Sequence, residues 1–368
     1  MRHLMTREEM KQYKSIGFEI VYFPIGESSH GGDSIIIRFG HLLRSKPEQK
    51  IIVIDGGYAS DGESVYKFIK NDLNSNKIDL VISTHPDEDH TSGLRTLIES
   101  DILVDKILMH RPWRNTEIDS SLFADGRKTD ISINEEFKEA FKYAYEIERI
   151  VLEKYGHDRL IIEPKVGMEF FDGALTILGP EKELYISKIL ESSKTSDPAE
   201  YTGVKTESGR SSSTKFGTET LDSPLPWPND PTTSAINDTS IISLFNFANR
   251  RILFTGDSGL QGLCNAFEYA VHLNLDLKKI DVLDIPHHGS RKNINPKFIS
   301  YLQPKMAFLS APKKNDRNHP SQKLINEFVR QGIKVYSTQG KTLFWGENKP
   351  NRGLSSLSSL EFNEKIDL

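Results

Sequence analysis

Short apolar, β-branched runs punctuated by glycine and aspartate dominate the first third of the chain: "FEIVYFPIG", "DSIIIRF" and "KIIVIDGG". Such runs predict strands. The pattern then lengthens in "GESVYKFIKNDLN", predicts a strand in "KIDLVIST", a helix in "SGLRTLIES" and another strand in "VDKILMHR". In "NEEFKEAFKYAYEIERIVLEKYG" the apolar residues Phe137, Phe141, Ala144, Ile147 and Val151 recur at helical spacing, predicting one long amphipathic helix with its stripe in the core.

Further on, "TSIISLFNFANRRILFTGDSG" predicts two strands joined by the turn "NFANRR", followed by the helix "LQGLCNAFEYAVHLN" and the strand "IDVLDIPHHGS". The last third repeats strand, helix, strand. Between about 192 and 235 the apolar pattern stops, and Ser, Thr, Gly, Pro and Asp take over, with Trp227 as an apolar anchor between prolines. That insertion cannot bury enough apolar surface to fold alone, so it reads as a long loop, either a lid or a surface excursion. Residues 348–368 read as a weakly ordered tail. Motifs run through the whole of 1–347, which favours one domain over two.

Composition narrows the chemistry. A net charge of −5 argues against a globally basic nucleic-acid-binding surface, while leaving room for a local basic groove. The lone Cys264 excludes an intramolecular disulfide and every cysteine-based zinc pattern, so a metal would have to sit on His and carboxylates. No stretch approaches 18 consecutive apolar residues and the N-terminal segment lacks an apolar signal core, so no membrane span and a cytoplasmic location are expected.

Three strand ends carry the candidate chemistry. "STHPDEDH" packs His85, Asp87, Asp89 and His90 into six positions, "ILFTGDSG" supplies Asp257, and "VLDIPHHGS" supplies His287 and His288. Residues i and i+2 of a strand share a face, so His85 and Asp87 can serve one cation, and Asp89 and His90 swing toward a second as the chain enters a helix. An aspartate such as Asp257 can bridge two cations about 3.5–4 Å apart that share a hydroxide. Imidazole and carboxylate donors suit zinc, manganese or iron.

These motifs resemble the metallo-β-lactamase superfamily, whose first signature is His-x-His-x-Asp-His. Here it stands as His85-Pro86-Asp87-Glu88-Asp89-His90, with Asp87 in place of the second His. With "IGESSHGGDSIII", "IDGG", "NDTSIISL", "LFTGDSG", "PHHGS" and "NHPSQKLINEFVRQGIKVYST", this variant is similar to the hydrolase domains of ComEC-type competence proteins, over about Phe18 to Trp345.

The resemblance implies an αββα sandwich, two mostly antiparallel sheets flanked by helices, with two divalent ions, Zn2+ or Mn2+. It implies His85 and Asp87 on one metal, Asp89, His90 and one of the two adjacent histidines on the other, and Asp257 bridging. His287, first after the strand, is taken as that ligand and His288 as its support. The family's third His is missing: "INDTS" stands in its place, so Asn237 or Asp238 substitutes, or one site is a ligand short. Asn237 can equally just start the strand through an Asx turn. His319, in "RNHPSQ", matches a late His-Pro and can protonate a leaving group or cap a loop. Asp33 and Asp55 are expected to orient ligands, while His110 falls near the rim without a role.

The expected activity is hydrolysis by a metal-bridging hydroxide, oriented by Asp89. A phosphodiester, either nucleic acid or nucleotide-like, is the favoured substrate, because the resembled domains are associated with DNA degradation. Proteins of a bacterial defence system are candidate partners. Amide, lactone or thioester hydrolysis on the same scaffold, and a binding or regulatory protein with a degenerate site, are the alternatives.

Overall fold

Alternation along the strands explains how they stack. Ile20, Ile37, Ile52, Leu80 and Ile82 point to one side of their sheet and meet Ile177, Phe245, Ile252, Phe254 and Phe308 of a second sheet. Val21, Ile36, Val53 and Val81, one position out of phase, point the opposite way, under helices. Both faces of the strands are thus buried, which is why they read as nearly continuous apolar runs.

The computed structural model describes residues 16–26, 31–44, 48–192, 216–227, 232–313, 319–352 and 358–367. In the first sheet the strands lie in the order Leu343–Glu347, Gly17–Tyr22, Ile35–His41, Glu48–Ile54, Leu80–Ile82, Ile107–Leu108, Ile161–Ile162. In the second the order is Lys334–Ser337, Met306–Leu309, Val282–Asp284, Arg250–Phe254, Ile242–Phe247, Leu175–Gly179, Glu169–Phe170. Helices Ala59–Lys67, Glu88–Glu99, Asp130–Ala140 and Lys142–Tyr155 cover the outside of the first sheet. Leu260–His272, Pro296–Leu302 and Gln322–Arg330 cover the second. This is the two-sheet sandwich flanked by helices that the sequence implies.

Within each sheet the pairing is mixed. Gly17–Tyr22, Ile35–His41 and Glu48–Ile54 pair antiparallel, but Glu48–Ile54, Leu80–Ile82, Ile107–Leu108 and Ile161–Ile162 run parallel. The second sheet does the same, parallel from Arg250–Phe254 outward to Lys334–Ser337. Helical crossovers return the chain to the same end each time, so successive parallel strands deliver their carboxyl ends, and the residues just after them, to one rim.

Two local departures have clear causes. The expected long helix is two, because Phe141 leaves the helical basin (φ −114°, ψ 41°) between Asp130–Ala140 and Lys142–Tyr155. Phe137 and Phe141 remain buried and stacked with ring centroids 6.2 Å apart, so the apolar periodicity runs through the break and hides it. At "NFANRR" Ala248 and Asn249 both take positive φ (51° and 60°), the two-residue hairpin turn whose twist matches the strands.

Residues 193–215 and 228–231 of the insertion lie outside the described residues. Its described part contributes the strand Phe216–Thr218, which pairs with Lys365–Asp367 of the tail. Trp227 packs on the outer cluster of the second sheet, with Lys323 Nζ 5.6 Å from its ring centre.

Candidate metal centre

The loops after four strands and before a fifth meet at the rim. Asp55 follows Glu48–Ile54, His85 follows Leu80–Ile82, Asp257 follows Arg250–Phe254, and His287 and His288 follow Val282–Asp284. Asp33 precedes Ile35–His41. Helix Glu88–Glu99 begins at Asp87 and carries Asp89 and His90 in its first turn. It sits so close to the loop after Ile54 that a Cβ on Gly93 would lie 1.9 Å from the Gly56 oxygen. Glycine there lets Asp89 and His90 reach the cluster.

Asp257 is the hub. Its Oδ1 lies 3.4 Å from His90 Nε2 and 3.8 Å from His288 Nε2, and its Oδ2 lies 4.0 Å from His85 Nε2 and 3.7 Å from His287 Nε2. Asp89 Oδ2 adds contacts of 4.0 Å to His90 Nε2 and 3.9 Å to His288 Nε2. Asp87 Oδ2 is 3.8 Å from His85 Nε2. Donors held about 2.0–2.2 Å from a tetrahedral ion lie roughly 3.3–3.6 Å from one another. The His90–Asp257 pair at 3.4 Å falls in that range, and the other pairs, at 3.7–4.0 Å, are slightly wider and too long for direct hydrogen bonds. Among the described residues, Asp89, His90 and His288 form one compact group of possible ligand atoms, and His85, His90 and Asp257 another.

The buried polar atoms agree. His90 Nε2, both ring nitrogens of His288 and Asp257 Oδ1 have no hydrogen-bond partner in the structure, and His90 Nε2 and His288 Nε2 both face Asp257 Oδ1. Such orphans cost about 1–3 kcal/mol each when left unsatisfied. Burial by itself would raise the Asp257 carboxyl, but His287, His90 and His288 hold it well below the usual carboxylate range. Burial opposes charge on His90, yet Asp257 and Asp89 push its imidazole well above its ordinary value. Asp89 is raised by burial, with His90 and His288 offsetting only part of it. Five carboxylates (Asp33, Asp55, Asp87, Asp89 and Asp257) crowd around four imidazoles, so cations would relieve the repulsion.

Supporting contacts orient the rings. His90 Nδ1 donates to Asp55 Oδ2 at 2.8 Å, and Asp55 also accepts from the Thr84 amide (2.8 Å) and hydroxyl (2.6 Å). Thr84 Oγ1 is in turn 3.1 Å from His85 Nδ1, so one carboxylate steadies two imidazoles. Asp33 Oδ1 lies 3.6 Å from His288 Nδ1, so Asp33 and Asp55 both sit beside the Nδ1 edges of the histidine rings. Thr84 was invisible to sequence reasoning, since a threonine at a strand end is ordinary. Asn293, whose side chain donates to the Asp257 carbonyl (2.9 Å) and to Thr233 Oγ1 (3.1 Å), carried no signal either.

The adjacent histidines divide the work. His287 and His288 both adopt left-handed backbone (φ 49° and 53°), continued by Gly289 at φ 81°. This uncommon turn sets the two rings nearly perpendicular, at 84°, with centroids 5.7 Å apart. Each ring therefore faces a different oxygen of Asp257. His288 joins Asp89 and His90, the place assigned from sequence to His287, while His287 lies on the His85 side.

Asn237 and Asp238 supply no atom to the cluster. Asn237 Nδ2 lies 2.9 Å from His287 Nδ1 and Ser234 Oγ donates to its Oδ1 at 2.6 Å, so Asn237 backs His287. Asp238 Oδ1 accepts from the amides of Gly259 (2.9 Å) and Gly262 (3.2 Å), capping helix Leu260–His272, and its Oδ2 is 3.9 Å from Lys188 Nζ. The His319 ring lies beside His287 with centroids 5.3 Å apart.

The family model of the metallo-beta-lactamase superfamily matches residues 35–107, the stretch that holds Asp55 and the His85–His90 motif. Residues 35–107 thus match a metallo-β-lactamase superfamily domain, a superfamily that is hydrolytic and metal-dependent, and the helix-flanked sandwich and the rim cluster agree with that match. The chain is similar to ComE operon protein 3 of Bacillus subtilis (strain 168), with 34% identity over 114 residues. That alignment covers 30% of this chain and 14% of the relative, so this chain spans a small part of the relative's length. Among solved structures, a putative metallo-beta-lactamase from Thermotoga maritima is 12% identical, with 65% of this chain and 78% of the other covered and a TM-score of 0.31. The hydrolase AbOPH is 12% identical, with 95% and 96% covered and a TM-score of 0.35. Scores this low add nothing to the assignment. No described helix is long and apolar enough to cross a membrane.

Proposed function

We propose that the chain is a two-metal phosphodiesterase acting on nucleic acid or a nucleotide-like substrate, with a cytoplasmic location. The observation that carries the two-metal reading is the division of Asp257: one carboxylate oxygen faces His90 and His288 beside Asp89, the other faces His85 and His287 beside Asp87. His85, Asp87 and His287 would hold one divalent ion, Asp89, His90 and His288 the other, with Asp257 between them. Zn2+ and Mn2+ both suit this donor set. When bound, the ions supply positive charge for the oxygens of a phosphoryl group and acidify a water molecule.

The chain's own groups then divide the remaining tasks. Asp89, raised by burial and 28% exposed at its side chain, accepts a hydrogen bond from the attacking water and orients it toward phosphorus. His319, next to His287 at the mouth, donates a proton to the leaving oxygen. Asp55 and Thr84 keep His90 and His85 turned inward. Five carboxylates at one rim favour hard, oxygen-rich substrate groups screened by cations, which supports a phosphodiester over an amide.

The test is to incubate the purified chain with Mn2+ or Zn2+ against linear DNA, RNA, bis-p-nitrophenyl phosphate and a β-lactam, beside Asp89→Ala. Turnover of a phosphodiester, lost in the variant, is expected. Turnover of the β-lactam alone, lost in the variant, would replace the phosphodiesterase reading with amide hydrolysis, and failure to bind either metal would remove the hydrolase reading altogether.

A further inference from the structure

One strand away from the metal centre lies a second concavity that the proposed chemistry does not use. Strands Leu80–Ile82, Ile107–Leu108 and Ile161–Ile162 are parallel neighbours, and Ser83 N donates to Leu108 O at 3.0 Å. The residues that follow them, His85, His110 and Glu163, therefore step along one rim at about 5 Å per strand. Beyond His85 the rim opens into a cavity of about 600 Å³, a size suited to a small organic group. Its far wall comes from the second sheet, where Pro180 follows Leu175–Gly179 and Tyr185 lies on helix Lys182–Glu191. Lys188 of that helix is 3.9 Å from Asp238, next to the Asn237 that backs His287, so the cavity wall and the metal rim share a support.

The lining says what kind of group would fit. His110 stacks on Tyr185 with centroids 3.9 Å apart and planes 13° apart, and Pro164 and Pro180 add flat apolar surface. His110 Nε2 is buried without a hydrogen-bond partner, and its Nδ1 is 3.8 Å from Glu163, beyond hydrogen-bond reach. Burial depresses the imidazole to about 3, so it stays neutral, with one nitrogen to donate and one to accept. The arginines and Lys182 are already matched, and Lys165, exposed on the lining, has no ion pair among the described residues. Arg111 binds Glu163, Glu148 and Asp158 at 3.0 Å each, Arg114 binds Glu148 at 3.0 Å, and Lys182 binds Glu117 at 3.0 Å. A cavity with stacked rings and two prolines, whose arginines are paired and whose orphan atom sits on a neutral ring, suits a flat group with a hydrogen-bonding edge.

We infer that this cavity is a nucleobase subsite, with His110 Nε2 hydrogen-bonding the edge of a base whose adjoining phosphodiester reaches the metal rim. The choice of a nucleobase rests on the phosphodiester reading, whereas the cavity and its orphan nitrogen do not. His110 acts here as a specificity residue for substrate binding and takes no part in bond cleavage.

Two measurements test it. First, adenosine, cytidine, ribose and inorganic phosphate are titrated separately into the metal-free wild-type chain while the His110 ring nitrogens are followed by NMR. A nucleoside is expected to shift the His110 resonances at millimolar concentration while ribose and phosphate do not. Second, His110→Phe, which keeps a ring against Tyr185 and removes the nitrogens, is compared on a dinucleotide and on bis-p-nitrophenyl phosphate, which has no base. KM for the dinucleotide should rise about tenfold, the loss of one buried hydrogen bond, with kcat and turnover of the base-free ester unchanged. No response to any nucleoside, a response to phosphate or ribose instead, or an equal effect of His110→Phe on both esters would overturn the subsite. A nucleoside response in a chain that hydrolyses no phosphodiester would keep the subsite and remove the phosphodiesterase reading.

Discussion

Replacing Asn237 by alanine is the sharpest probe of how the two proposed metal positions are built. Asn237 Nδ2 lies 2.9 Å from His287 Nδ1, and with the amide gone the remaining neighbour of that nitrogen is Thr233 Oγ1 at 3.5 Å. A cation on His287 Nε2 requires the proton on Nδ1. The amide then presents Oδ1 to that N–H, a rotation that Ser234 and Thr233 can follow because their hydroxyls both donate and accept. Loss of such an orienting partner typically weakens metal binding 10–100-fold, about 1.4–2.7 kcal/mol. The neighbouring position, with Asp89, His90 and His288, depends on Asp55 and Asp33 for orientation and should keep its affinity. Calorimetric titration of the metal-free chain with Mn2+ should therefore show one weakened and one unchanged site in Asn237→Ala. Asn237→Asp, whose carboxylate also accepts from Nδ1–H, should restore the weakened one. Equal weakening of both sites, or no change in either, would refute the assignment of His287 as a ligand held by Asn237.

Glu148 is buried and accepts from Arg111 (3.0 Å), Arg114 (3.0 Å) and Trp113 Nε1 (2.6 Å), so Glu148→Ala leaves a largely buried guanidinium and an indole N–H short of an acceptor. Unfolding in urea should show a loss of about 3–5 kcal/mol, and a loss under 1 kcal/mol would mean that the network is solvated. His110 gives a pH signature, since its folded value near 3 is depressed from 6.5. Between those values the unfolded chain binds the extra proton, so stability rises with pH there, is complete above about 6.5, and falls as the solution is acidified toward 3. The slope from this group reaches at most about 1.4 kcal/mol per pH unit. Denaturation midpoints of His110→Phe should fall less steeply across that window than those of the wild type.

The sequence by itself determined the strands and the residue types at their ends. The placement of ligand-type residues straight after apolar runs is a local property, so His85, Asp87, Asp89, His90 and Asp257 were legible as strand-end residues without coordinates, while the two-sheet sandwich was implied by the resemblance of those motifs to a known superfamily. The break at Phe141 was not legible, because an apolar stripe that continues in phase does not record a change of backbone basin at one residue. Nor was the mixed pairing of the sheets, which depends on where each crossover returns the chain.

Tertiary structure decided which atoms face which. His287 and His288 are chemically identical neighbours, and only the left-handed turn through Gly289 sends one ring toward Asp257 Oδ1 and the other toward Oδ2. Asn237 and Asp238 are equally plausible ligands on paper. Packing turns one toward His287 and the other toward the amides of helix Leu260–His272, because a buried carboxylate is best placed where backbone N–H groups already converge. Thr84, Asn293 and the orphan nitrogen of His110 acquire meaning only through neighbours distant in sequence. Residue type and local spacing specify what a site is made of, and the long-range contacts that close the rim specify where each donor points.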